Sequence, residues 1–98
     1  MQHMPDDLPL ATRLLLTLAQ LQGSSLDAVS LPRLGKHLGQ SASVLMRELS
    51  ALGDAELGGA RGPGWVQIHN VEGHWRASLT EAGRAVVLEL QAGFVLSD

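Results

Sequence analysis

The chain has 98 residues, of which 45% are hydrophobic, no cysteine and a formal net charge of -3. These figures fit one globular domain with a modest core and exclude disulfides, thiolate metal sites and a cysteine nucleophile. Over the whole chain they also exclude a strongly basic nucleic-acid footprint, and three aromatics (Trp65, Trp75 and Phe94) make a poor platform for stacking single-stranded bases.

Charge is unevenly spread. Residues 30–80 hold five cations (Arg33, Lys36, Arg47, Arg61 and Arg76) against Glu48, Asp54, Glu56 and Glu72, a net of +1. The remainder holds Arg13 and Arg84 against six acids, a net of -4.

Residues 1–7 are expected to form a disordered leader, and 8–98 one domain. MQHMPDDLPL has no basic n-region, so no signal peptide is expected. No run reaches the ~20 apolar residues of a membrane span, and a cytoplasmic setting is the expectation. From Leu8 to Leu21, Leu10, Leu14, Leu18 and Leu21 form one helical stripe, with Pro9 near the first turn. Leu15 and Leu16 widen the stripe until the helix is apolar on most sides. In so small a domain, that width predicts cover from a second subunit.

Gly23, Ser24 and Ser25 end this helix, and the short stretch LDAVS follows. Ser30 is the expected N-cap of a second helix, with Pro32 in its first turn and Leu31, Leu34 and Leu38 facing inward. Gly39 makes a turn. Ser41 caps a third helix, roughly 42–53, whose inner stripe is Leu45, Leu49 and Leu52.

GGARGPG, at 58–64, reads as loop. In WVQIHNVEGHWRASL, a two-residue turn at Glu72 and Gly73 pairs Val71 with His74. Val66, Ile68, Asn70, Trp75, Ala77 and Leu79 then share one face. Trp65, Gln67, His69, Val71, His74, Arg76 and Ser78 share the other, as in a two-stranded ribbon lying on helices. Trp75 is expected in the core and Trp65 partly covered. Thr80 caps a last helix over about 80–92, with Glu81 near its positive end and Val86, Val87 and Leu90 facing inward.

The order helix, helix, turn, helix, hairpin, helix resembles a winged helix-turn-helix domain over about residues 8–92. Its sharpest parts are Leu34-Gly35, Leu38-Gly39, Leu45, the run Arg47 to Leu52, and LTEAGRAVV at 79–87. The last phrase is similar to the strand-to-helix junction after the wing in MarR-like bacterial transcriptional regulators. Gly35 offers the small residue that two steeply crossing helices need, and Gly39 the freedom to take positive φ. Gln40 departs from the apolar residue usual after the turn glycine, Glu56 stands before Leu57 where a glycine commonly ends the recognition helix, and the wing lacks the family's arginines and lysines.

The resemblance implies a mainly α fold with a small β-hairpin (α+β): a three-helix core, a helix-turn-helix at about 30–53, a two-stranded wing at about 65–79 and a C-terminal helix. It implies double-stranded DNA as partner. The recognition helix (about 41–53) would enter the major groove, with Ser41, Ala42, Ser43, Val44, Met46, Arg47 and Ser50 as candidates for its outer side. Arg33 and Lys36 would meet the backbone, and His74 and Arg76 an adjacent groove. A homodimer is expected, with Leu10, Leu14, Leu15, Leu18, Leu90, Phe94 and Leu96 as candidate interface residues.

A bland account exists for each of these residues. Arg47 could pair with a surface carboxylate, Arg33 and Lys36 could be a solvated face, and Val44 and Met46 could serve packing. His69 and His74 lack a third metal ligand. No catalytic arrangement or phosphate-cradling glycine loop is visible, so no enzyme activity, cofactor, metal or small-molecule effector is expected. The rival reading is a winged-helix protein–protein interaction module without direct DNA contact.

Overall fold

The computed structural model describes residues 8–54, 56, 57 and 59–96, with side chains throughout except at 56, 57, 60 and 94–96. The expected leader at 1–7 lies outside them. In chain order the elements are α1 (Leu10–Gln22), β1 (Val29–Ser30), α2 (Leu31–Leu38), α3 (Ala42–Leu52), β2 (Glu56–Leu57), β3 (Ala60–Arg61), β4 (Val66–Val71), β5 (His74–Leu79) and α4 (Glu81–Leu96). Together they make an α+β fold in the winged helix-turn-helix arrangement. Four helices pack with an antiparallel sheet of order β1-β5-β4.

α1 is the axis of the core. Leu14 and Leu18 are fully buried, Leu15 and Leu16 nearly so, and α1 packs against α2, α3, α4, β1 and β5. This corrects the expectation that a second copy must cover Leu14, Leu15 and Leu18: their own chain covers them. The reason is β1. Val29 and Ser30 pair with Ala77 and Arg76 of β5, turning the expected two-stranded ribbon into a three-stranded sheet. The buried Val29 thereby joins the cover over α1.

A polar strut fixes this layer. Gln22, buried at the end of α1, donates from Nε2 to the Asp27 carbonyl (3.0 Å) and accepts at Oε1 from the backbone N–H of Leu79 (2.9 Å). One side chain thus satisfies the buried Leu79 N–H and ties the partly buried Asp27 carbonyl to the end of α1.

The hairpin register agrees with the alternation in the sequence. Val71 pairs with His74, Asn70 with Trp75, Ile68 with Ala77 and Val66 with Leu79. Glu72 (φ 53°) and Gly73 (φ 84°) both take the positive φ of a type I′ turn. Trp65 is partly buried against the core, as expected, but Trp75 is not core: it is 42% exposed. Both strands lose their cover toward the tip, so its face looks past the core.

Two further expectations are corrected. The stretch 58–64, taken as loop, contains β3, which pairs with β2 just before it (Glu56↔Arg61 and Leu57↔Ala60). The last helix runs through Gly93 to Leu96 instead of ending near 92. Thr80 caps it as expected, its Oγ1 accepting from the Gly83 N–H at 3.1 Å and donating to the Gly64 carbonyl at 2.7 Å. Gly83 has its own reason to be glycine, because a Cβ there would overlap the Trp65 carbonyl.

Candidate nucleic-acid interface

The helix-turn-helix is built from two caps and a left-handed turn. Ser30 Oγ accepts from the Arg33 N–H (3.4 Å) to start α2, and Ser41 Oγ accepts from the Val44 N–H (3.3 Å) to start α3. Between them Gly39 ends α2 at φ 66°, ψ 35°, a conformation costly for any residue with a Cβ. Leu34, Leu38, Leu45 and Leu49 are buried and clamp the pair.

α3 is helical from Ala42 to Leu52, with Leu45, Leu49 and Leu52 turned inward. Ser41, Ala42, Ser43 and Arg47 are exposed, while Val44 and Ser50 are half-buried. Met46 was expected on the outer side, but it is half-buried and packs against the core. Arg33 and Lys36 are exposed on α2, with His37 beside them.

His74 and Arg76 are exposed on β5. Arg76 Nη1 lies 3.5 Å from the Ala28 carbonyl, a long contact that leaves most of the guanidinium free. His69 Nε2 lies 3.0 Å from Ser78 Oγ, so this histidine is anchored to the neighbouring strand. Among the described residues no cluster of histidines and carboxylates could hold a metal ion.

The cations divide by task. Arg84 donates from Nη2 to the Ser25 carbonyl (2.9 Å) and from Nη1 to the Gly23 carbonyl (3.4 Å), tying α4 to the end of α1. Arg13 Nη2 reaches the Leu38 carbonyl at 3.5 Å, at the end of α2. The other five, Arg33, Lys36, Arg47, Arg61 and Arg76, are exposed, and all fall within residues 30–80. An open depression of about 360 Å³ separates the end of α3 from the wing; Ser50, Asp54, Gln67 and His69 line it with Leu49 and Ile68.

Of the candidate interface leucines, Leu10 and Leu90 are half-buried, and the side chains of Phe94 and Leu96 lie outside the described residues. The sequence reading missed Leu88, which is 67% exposed on α4 and is the large apolar group that helix shows to solvent among its described side chains. Helical period places it off the inward stripe of Val86, Val87 and Leu90, at about 100° beyond Val87. No described helix is long and apolar enough to cross a membrane.

No family model matches the chain, and no curated protein matches it. Among solved structures it is similar to a crystal structure from Ralstonia eutropha JMP134, a protein given the provisional description of DNA-binding protein. The two are 26% identical with a TM-score of 0.63, over 85% of this chain and 96% of that one. The shared α+β architecture thus spans most of both chains.

Proposed function

We propose that this chain binds double-stranded DNA as a MarR-like transcriptional regulator, a homodimer acting in the cytoplasm and not a catalyst. The observation that carries the reading is the outer side of α3. Ser41, Ser43 and Arg47 stand exposed on a helix whose inner stripe is fully buried. The provisional DNA-binding description of the Ralstonia neighbour supports it.

In this reading α3 enters the major groove with its N-terminal end leading. Ser41 and Ser43 bond phosphates or base edges, the half-buried Val44 and Ser50 border that contact, and Arg47 grips guanine or phosphate. Arg33 and Lys36 meet the backbone, and His74 and Arg76 approach the next groove. Dimerisation runs through α4, with the exposed Leu88 added to the expected Leu10, Leu90, Phe94 and Leu96. It sets the two α3 helices roughly 34 Å apart.

Titration of labelled duplex DNA at low salt, with wild type and Arg47→Ala, tests this reading. Wild type binds, and the variant binds more weakly with a salt slope about 0.9 shallower if one phosphate contact is lost. Equal binding removes the role of Arg47, and no wild-type binding removes the proposal. The rival, a protein-interaction module, is favoured by the net charge of -3. A protein that passes unretained through heparin at low salt follows the rival.

A further inference from the structure

The sheet runs β1-β5-β4, so β4 is an edge strand with one neighbour. The Thr80 N–H donates to the Trp65 carbonyl at 3.0 Å, which sets the parity of the ladder. Gln67, His69 and Val71 therefore exchange backbone bonds with β5, while Val66, Ile68 and Asn70 turn their N–H and C=O groups off the other edge. The end of α3 closes that edge at its start, where a Cβ on Gly53 would lie 3.5 Å from the Val66 carbonyl. Beyond it, among the described residues, nothing pairs with the outward groups of Ile68 and Asn70.

Edge strands are usually blunted by charge, proline or a bulge. VQIHNV has no lysine, arginine, acid, proline or glycine, and it pairs with β5 residue for residue. The depression beside α3 lies along this edge. Val66, Gln67, Ile68 and His69 line it in unbroken sequence. Successive strand residues point to opposite faces, so a hollow over one face would touch every second residue. Four in a row mean that it runs beside the backbone. Its far wall is the end of α3, with Leu49, Ser50 and Asp54.

The charge around the edge is acidic. No lysine or arginine lines the depression. The exposed Asp54 shares it with Val66, at one end of β4, and the exposed Glu72 directly follows Val71 at the other. Arg76, across from His69, reaches the opposite way, toward Ala28 beside β1.

We propose that an extended segment of another protein adds to the sheet as a fourth strand along β4, in the depression against α3. Backbone bonds to Ile68 and Asn70 hold it, as in other cases of strand addition. Its side chains alternate, apolar toward Leu49 and Ile68 and polar toward Gln67 and His69. A lysine or arginine near each end meets Asp54 and Glu72. Nucleic acid offers no ladder of N–H and C=O groups to this edge and would meet an acid at both ends. The site shares only Ser50 with the residues assigned to DNA and goes beyond that reading as a second surface.

Random peptides displayed on phage are selected on immobilised full-length protein, and the most enriched peptide is synthesised as the probe. Alternating strand-forming sequences with a cation near each end should be enriched. With the probe added to wild type, the amides of Ile68 and Asn70 should exchange with deuterium about tenfold more slowly, while those of Gln67 and His69, already bonded to β5, change little. Asp54→Lys should melt like wild type and bind the probe about fivefold more weakly. No enrichment, enrichment of acidic peptides, or equal binding by Asp54→Lys overturns the proposal. A probe that binds without slowing exchange at Ile68 and Asn70 overturns it too, because it then sits elsewhere. Protection of these two amides that rises with protein concentration alone gives the edge to a second copy, and protection by duplex DNA gives it to the nucleic acid; either contradicts the proposal. Duplex titration of Arg47→Ala reads α3 separately, so the failure of one site is distinguishable from the failure of the other.

Discussion

A Cβ placed on Gly35 would lie 2.7 Å from the carbonyl oxygen of Gln40, while the Gly35 carbonyl itself accepts from the N–H groups of Gly39 (2.7 Å) and Gln40 (3.1 Å). The turn between α2 and α3 is folded back onto Gly35, within α2. The obstacle to a side chain at 35 is therefore the turn's own backbone; Leu45 of the facing helix is farther, at 3.7 Å.

Gly35→Ala forces the turn open, because a backbone carbonyl cannot rotate away as a side chain would. The expected cost is about 1–3 kcal/mol, the range for overpacking a tight contact. At about 4–8 °C per kcal/mol for a domain of this size, a thermal melt resolves it. Gly39→Ala is expected to cost about 1–2 kcal/mol for a different reason, the left-handed φ. Melting temperatures equal to wild type for both would mean the turn is not held this way.

Gln22→Leu removes the acceptor for the Leu79 N–H and the donor to the Asp27 carbonyl together. Leaving the buried N–H unpaired costs about 1–3 kcal/mol, although the leucine is itself apolar. Urea denaturation should show a lower midpoint with an unchanged slope. Unaltered stability would mean that water replaces both bonds.

Burial by the chain itself and burial by a partner separate on concentration dependence. Leu14→Ala or Leu18→Ala should lose about 2–5 kcal/mol at any protein concentration. Leu88→Arg should leave the monomer's fold intact and shift the protein toward monomer in analytical ultracentrifugation. A Leu88→Arg protein that remains dimeric places the interface elsewhere.

The hairpin was legible because one two-residue turn, read with strict alternation, allows a single register that separates polar from apolar residues. The caps at Ser30, Ser41 and Thr80 were legible because each hydroxyl precedes an apolar stripe at helical spacing. β1 was not: two residues are too few to show a period, and Val29 and Ser30 become a strand only by pairing with the edge of β5. The end of α4 was not legible either: one glycine, Gly93, costs a helix only about 1 kcal/mol, so α4 continues through it.

The interface was legible in part. Alternation put Trp75 on the correct face but could not tell how far the core reaches beneath that face, so the residue read as core stands exposed. The same blindness to distance hid the duties of Arg13 and Arg84, whose carbonyl partners lie 25 and about 60 residues away in sequence. Met46 turns inward because helical phase is only approximate at a stripe's edge, and its long side chain reaches the core from there.

Selection of bound sequences from random duplexes, with wild type and Ser43→Glu in parallel, tests the reading of α3 most directly. Ser43 is exposed in the first turn of α3, where an acid suits the helix dipole, so Ser43→Glu should fold as well as wild type. Wild type should enrich a two-fold symmetric site with half-sites about 10 base pairs apart, and Ser43→Glu should enrich nothing, because its carboxylate faces phosphate. Enrichment of the same site by both proteins, or by neither, would contradict the claim that α3 reads DNA.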